Sequence, residues 1–108
     1  MKEVMEKEGQ MQLRRIKAED HLVLLDERGQ EFESIGFAEH LNSLEGKVRQ
    51  LVFLLGGAYG FSGEVYRRAD SQLSLSRLTF SHQLVRLIFM EQLYRAFTIL
   101  KGDPYHHA

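Results

Sequence analysis

Residues 51–55 read Leu-Val-Phe-Leu-Leu, an unbroken apolar run after Gln50 that passes straight into Gly56-Gly57-Ala58-Tyr59-Gly60. A strand with one wet face alternates apolar and polar residues. An unbroken run has no wet face, and that is the condition of a strand in a parallel sheet covered on both sides. Val48 to Leu55 is therefore predicted as a buried strand. His21 to Asp26 (HLVLLD), a second short apolar run bounded by charge, predicts another, with Glu27 to Gln30 as a turn after it.

Helical signals alternate with these runs. Glu3 to Lys17 places Val4, Met5, Met11, Leu13 and Ile16 at loosely helical spacing, with Gly9 weakening the segment by roughly 1 kcal/mol relative to Ala. Ser34 is a candidate N-cap for Ile35, Phe37, Ala38, Leu41 and Leu44, and Glu45-Gly46-Lys47 ends that helix. Ser62 can cap a short helix through Ala69, and Leu73-Ser74-Leu75-Ser76 alternates like a third short strand. His82 to Leu100 holds no Gly or Pro, so it predicts one long helix stopped at Gly102, with Asp103 to Ala108 as a tail. The order α, β, α, β, α, β, α predicts an α/β fold with a parallel sheet, as a single domain over residues 1–108.

The apolar residues of the last helix point in every direction rather than along one stripe. A helix apolar all round is buried on all sides. A three-stranded sheet is too small to cover it, so a second copy of the chain in a two-fold dimer is the expected cover. Composition removes several function classes. With no Cys there is no disulfide scaffold, no thiolate metal site and no cysteine nucleophile. Fourteen basic and fifteen acidic residues give a net charge of −1, which excludes a globally basic nucleic-acid binder. The charge is uneven, net −3 over residues 1–60 and net +2 over residues 61–108, so the C-terminal half is the side suited to an anion such as RNA phosphate. Residues 1–20 are charged throughout, and Leu51 to Gly60 is too short to span a bilayer. The expected location is cytoplasmic, with no membrane partner.

Three features can carry chemistry. The Gly56-Gly57-x-x-Gly60 loop follows a predicted strand and precedes a predicted helix, where α/β sheets bind ligands. It lacks the Lys-Ser/Thr pair of a phosphate-gripping loop and the full spacing of a dinucleotide fingerprint, so it reads as a ligand site or as a turn. The stretch Leu73 to Phe80 (LSLSRLTF) combines short apolar side chains, hydroxyls and one Arg. Its hydroxyls serve either as caps for the next helix, through Thr79 or Ser81, or as part of a backbone-lined pocket for an adenine-sized group. His82 and Arg86 share a helix face, and Glu91 and Arg95 have the spacing of an intrahelical ion pair. His106-His107 lacks a third ligand, so no metal is expected.

Together, Val52–Gly60 (VFLLGGAYG), Leu73–Gln83 (LSLSRLTFSHQ), the EQLYRAF ending at Phe97 and the Pro104-Tyr105-His106 tail resemble the small bacterial SPOUT-class methyltransferases that act on large-subunit ribosomal RNA. The likeness runs from Glu6-Lys7-Glu8-Gly9 to the tail. It implies an α/β sheet whose C-terminal part is threaded into a trefoil knot, an exception to unknotted topology. It implies S-adenosyl-L-methionine as cofactor, with Leu25, Gly56, Leu75, Ser76, Arg77, Leu78, Thr79 and Phe80 lining its pocket and the backbone holding the adenine. It implies methylation of N3 of a pseudouridine in an rRNA stem-loop. His82, Tyr105 and His106 are the candidates for proton removal or base positioning, and Arg86 for an RNA contact. It also implies a homodimer through the last helix, with rRNA or the assembled ribosome as partner. The chain departs from the family pattern at Ser81, where Pro is usual, and at His107, where a tail Arg is usual. It also lacks roughly the first third of the usual length, so a sheet edge and an apolar face are expected to be uncovered. The competing function is a non-catalytic dimeric fragment that binds cofactor or RNA.

Overall fold

The structure, a computed structural model, describes residues 2–56 and 60–106. The elements are α1 (Lys2–Leu13), β1 (His21–Gln30), α2 (Ser34–Leu44), β2 (Leu51–Leu55), α3 (Gly63–Arg68), β3 (Ser71–Leu73) and α4 (His82–Lys101), followed by one 3-10 turn, Pro104–His106. The three strands form a parallel sheet in the order β2-β1-β3. The chain is thus mixed α/β with a parallel sheet, as the alternation of elements predicts.

Successive residues of a strand point to opposite faces, and the two cores follow from that. Leu22 and Leu24 of β1, with Val52 and Leu54 of β2, pack against Phe61 and Val65 beside α1 and α3. Val23 and Leu25, with Leu51, Phe53 and Leu55, pack on the other face against Phe37, Ala38 and Leu41 of α2 and Phe89 and Ala96 of α4. The helices therefore lie in two layers around the sheet.

Burial is distributed differently from the reading of the apolar runs. The fully covered strand is β1, whose Leu22 and Leu24 are completely buried. Every residue of β2 is half-buried, because β2 is an edge of the sheet. It also begins at Leu51 rather than Val48.

The predicted turn at 27–30 is instead the outer half of β1. Leu25 and Gln30 both register with Leu73, so residues 26–29 bow out of the ladder before the strand returns to β3. Gly29 makes the return possible. A Cβ there would lie 2.6 Å from the Gln72 carbonyl carbon and 2.7 Å from the Leu73 amide nitrogen. The Ser74 amide then donates to the Gln30 carbonyl at 2.9 Å, which ends the pairing. Accordingly β3 covers Ser71–Leu73 and not Leu73–Ser76. Ser74 and Ser76 turn the chain instead of alternating across a sheet: the Ser74 hydroxyl donates to the Ser76 carbonyl at 3.1 Å, and the Ser76 hydroxyl accepts the Leu78 amide at 3.0 Å.

Local capping explains the helix ends. Ser34 is the first helical residue of α2 and not its N-cap. Glu33 occupies the cap without a side-chain hydrogen bond. Phe32 packs on Phe37 with ring centroids 6.2 Å apart, an apolar clasp between the residues flanking the first turn, and it takes the place of a polar cap. Ser62 and Ser81 do cap α3 and α4, accepting the amides of Val65 and Leu84 at 3.3 Å each. Gly102 closes α4 in the left-handed region at φ 79°. Its amide donates to Ile99 and that of Asp103 to Thr98, satisfying the last carbonyls. The first helix stops at Leu13, short of Lys17, and residues 17–20 turn instead around the buried Asp20, which accepts the Lys17 amide at 3.0 Å.

Candidate functional site

A cavity of about 700 Å³ opens at the carboxyl ends of the strands. That size lies within the range of pockets that enclose small organic ligands. Its position is the one at which parallel α/β sheets bind ligands, because the loops leaving the strands diverge there.

Its floor is apolar, from Leu25, Leu55 and Leu73 at the strand ends with Phe61 and Val85. Gly56 and Gly60 border it, Gly60 with φ 83°. The remaining residues of that loop, Gly57, Ala58 and Tyr59, lie outside the described residues, as does His107 of the tail. One wall is the segment after β3, through Leu75, Ser76, Leu78, Thr79 and Phe80. Among the described residues, no other main-chain group engages the amides or carbonyls of Leu75, Arg77, Thr79 or Phe80. A stretch of backbone with unused donors and acceptors beside a cavity is suited to the edge of a planar heterocycle.

Arg77 is placed differently from its neighbours. It does not line the cavity. Its Nε donates to Glu31 Oε1 at 2.9 Å and its Nη1 to the Glu27 carbonyl at 3.1 Å. The Thr79 hydroxyl donates to Glu27 Oε2 at 3.2 Å. These bonds fasten the wall segment to the bowed part of β1.

His82, the first residue of α4, stands at the cavity, and Arg86 follows one turn later, exposed. Tyr105 and His106 lie elsewhere. The Tyr105 hydroxyl donates to Glu91 Oε2 at 3.1 Å, and its ring meets Tyr94 edge-on with centroids 4.9 Å apart. Arg95 bonds His106 Nδ1 at 3.0 Å and Glu91 at 3.0 Å. The hydrogen bond to Glu91, foremost, raises the Tyr105 pKa. Nine helical steps separate His82 from Glu91 and thirteen separate it from Arg95, rises of about 14 and about 20 Å. Within one chain, then, the structure gathers His82 and the predicted cofactor residues other than Arg77, and leaves Tyr105 and His106 folded back on Glu91, Tyr94 and Arg95 in the middle of α4.

The sequence reading missed a polar cluster on the cavity wall. Asp26, Glu27 and Arg28 of the bowed part of β1 and Tyr66 of α3 all line it. The Tyr66 hydroxyl donates to Asp26 Oδ2, the Arg28 amide donates to Asp26 Oδ1 at 2.9 Å, and Arg28 Nη2 donates to the Tyr66 hydroxyl at 3.1 Å. Burial by itself pushes the Asp26 carboxyl up. The hydrogen bonds from Tyr66 and the Arg28 amide, with the Arg28 charge, outweigh it and hold the pKa below the usual carboxylate value. Burial, then the bond to Asp26, pushes the Tyr66 hydroxyl up. The signal available in sequence was a carboxylate directly after the apolar run 22–25. Nothing local marks Tyr66, forty residues away. Among the described residues no group of three metal-ligating side chains occurs, and no helix is long and apolar enough to cross a membrane.

A parallel α/β sheet with a ligand-sized hollow at its strand ends, walled by an unpaired main-chain segment, is a frame for binding a nucleotide-like group. Residues 1–106 match the family described as predicted SPOUT methyltransferase, and the chain belongs to that family. It is 56% identical over 94% of its length to the ribosomal RNA large subunit methyltransferase H of Christiangramia forsetii, and 54% identical over 94% to that of Flavobacterium johnsoniae. The protein of that name from Phocaeicola vulgatus is 50% identical over 99% of the chain. The chain spans 65%, 66% and 69% of the lengths of these relatives.

Proposed function

We propose that the chain carries the cofactor-binding part of an S-adenosyl-L-methionine-dependent methyltransferase that modifies N3 of a pseudouridine in large-subunit rRNA. The observation that carries this reading is the cavity of about 700 Å³ walled by the 75–80 segment. Its apolar floor and open backbone groups suit an adenosine moiety. When bound, the cofactor supplies an electrophilic methyl group. The chain's own residues then have mainly to orient and to exclude water, because the donor is already activated.

The unengaged main-chain groups of Leu75, Arg77, Thr79 and Phe80 hold the adenine edge, while Leu25 and Gly56 bound the pocket. Arg77 contributes its backbone, with its side chain fastening the segment to Glu27 and Glu31. His82 stands where it can hold or take the N3 proton of the base. Arg86, exposed and without an ion pair among the described residues, faces outward for a phosphate. The trefoil threading of the family fold is part of the same reading.

The distance between His82 and the tail supports a homodimer. A two-fold axis that runs two α4 helices antiparallel brings the Tyr105–His106 end of one chain to the His82 end of its partner. The exposed apolar side chains of α4, among them Leu87 and Phe97, supply the surface. A cytoplasmic location follows from an rRNA substrate.

Calorimetry with S-adenosyl-L-methionine tests the cofactor site, and absence of binding by folded protein overturns it. Transfer of a labelled methyl group to large-subunit rRNA tests the reaction. Replacement of the target pseudouridine by uridine is expected to abolish transfer only if the base assignment is right.

A further inference from the structure

Besides the imidazole of His82, the charged residues on the cavity wall are Asp26, Glu27 and Arg28, two carboxylates against one guanidinium. The two signs are not equally exposed to water. The Asp26 side chain is 9% exposed and the Arg28 side chain 74%. Water and salt screen an exposed charge much more than a buried one. Arg28 Nε stands 3.5 Å from Asp26 Oδ1 and offsets part of that charge from a side chain open to water, while Glu27 has no ion pair among the described residues, so the wall keeps a net negative charge. Arg77, on the wall segment but outside the cavity lining, is paired with Glu31.

Asp26 is also held in place. Tyr66 and the Arg28 amide occupy one oxygen each, which fixes the carboxylate at the end of the central strand. Glu27 is fixed by Thr79, on the wall segment itself. Asp26 is thus built into the frame, while Glu27, exposed, is tied to it by one hydroxyl.

We propose that Asp26 and Glu27 make this cavity select a ligand with one net positive charge, a sulfonium methyl donor, over the neutral-sulfur product left when the methyl group has gone. This rests on the reading of the cavity as the S-adenosyl-L-methionine site. The donor carries sulfonium, ammonium and carboxylate, net +1. The demethylated product keeps the ammonium and carboxylate, net zero. The two ligands have nearly the same shape, so contacts with the apolar floor and the backbone wall do not separate them. A fixed negative potential does, and it favours exchange of spent product for fresh donor. Tyr66 is the positioning residue that aims Asp26.

The test is calorimetry on the chain as it stands, with three probes: S-adenosyl-L-methionine, its demethylated product, and an analogue that carries a cationic amine in place of the sulfonium. In Asp26→Asn the preference for donor over product is expected to fall about five-fold, and in Glu27→Gln about two-fold, with the amine analogue following the donor. Glu27 is exposed, so its variant keeps the fold. Equal weakening of all three ligands in Asp26→Asn overturns the proposal and leaves the cofactor site intact. Failure of every probe to bind the folded, unaltered chain overturns the cofactor reading and this proposal with it.

Discussion

Two glycines show how a single missing Cβ sets the path of this chain. Gly9 lowers the intrinsic stability of α1, and Ala there gains roughly 1 kcal/mol of helix propensity. Yet an added Cβ would lie 2.3 Å from the Ser62 hydroxyl, the group that caps α3. The clash and the lost cap together outweigh the propensity gain, so Gly9→Ala is expected to destabilise the fold by about 1–2 kcal/mol in urea. Gly9→Ala combined with Ser62→Gly is expected to recover part of that loss, since Gly is an adequate cap. Gly29→Ala meets backbone, which cannot rotate away, so the bow of β1 must detach from β3. Loss of cofactor binding in calorimetry is the expected result, in excess of the fall in stability. Tyr66→Phe leaves the Asp26 carboxylate with one donor fewer, at a cost of about 1–3 kcal/mol. Its effect on pH dependence has a definite sign. The folded pKa values of Asp26 and Asp70 lie below the unfolded value of 3.8, so the unfolded chain takes up protons first as acid is added. Their contribution is full above the unfolded value and drains away as pH falls through the folded values. Removing the Tyr66 hydroxyl raises the folded pKa of Asp26 and narrows that window. The acid limb of a stability-against-pH curve is then expected to become shallower, while Tyr66→Phe and the unaltered chain run parallel above pH 5.

At the scale of elements, what was legible in the sequence is what local chemistry decides. Helix α4 was readable at both ends, because Ser81 and Gly102 act within one turn of the residues they cap. Replacing Gly102 with Ala forces a Cβ into the left-handed region. It is expected to lower the thermal midpoint by the equivalent of about 1 kcal/mol without altering helix content, as circular dichroism would show. The strands were legible only in part. The apolar run of 51–55 announces a strand, but nothing in it tells an edge from a centre, since that depends on which strand lies next to it. The polar half of β1 reads as a turn because Glu27-Arg28-Gly29-Gln30 has turn composition. It becomes strand through contact with Gln72 and Leu73, more than forty residues on. The cavity divides in the same way. Its 75–80 wall was reached through the family likeness of LSLSRLTF. The Asp26–Arg28–Tyr66 cluster was not, because it is assembled from β1 and α3 by the fold.

For the whole molecule, the question is what becomes of α4. Phe89 and Ala96 are buried against α2 and the sheet, while Leu87 is 67% exposed, Tyr94 58% and Phe97 50%. An all-round apolar helix in one chain is therefore a half-covered helix. Exposed side chains at i, i+3, i+7 and i+10 (Leu87, Met90, Tyr94, Phe97) follow the seam spacing by which two helices pack. The same helix separates His82 from Tyr105 and His106, so in the proposed homodimer one event, pairing of α4 with its copy, would cover the seam and bring the tail of one chain to the His82 of the other. These effects separate experimentally. Leu87→Asp places a charge in the seam at a position already open to water, so the isolated fold is expected to keep its stability. Sedimentation is expected to show a dimer for the unaltered chain and a monomer for Leu87→Asp. Cofactor affinity should survive in the monomer, since the cavity is lined by residues of one chain, and the contribution of the tail to methyl transfer should not. Truncation after Asp103 is expected to reproduce that second loss in a protein that still dimerises. A monomeric unaltered chain, or a Leu87→Asp monomer that transfers methyl groups at the rate of the dimer, would detach the tail from the cavity and leave the seam to some other surface.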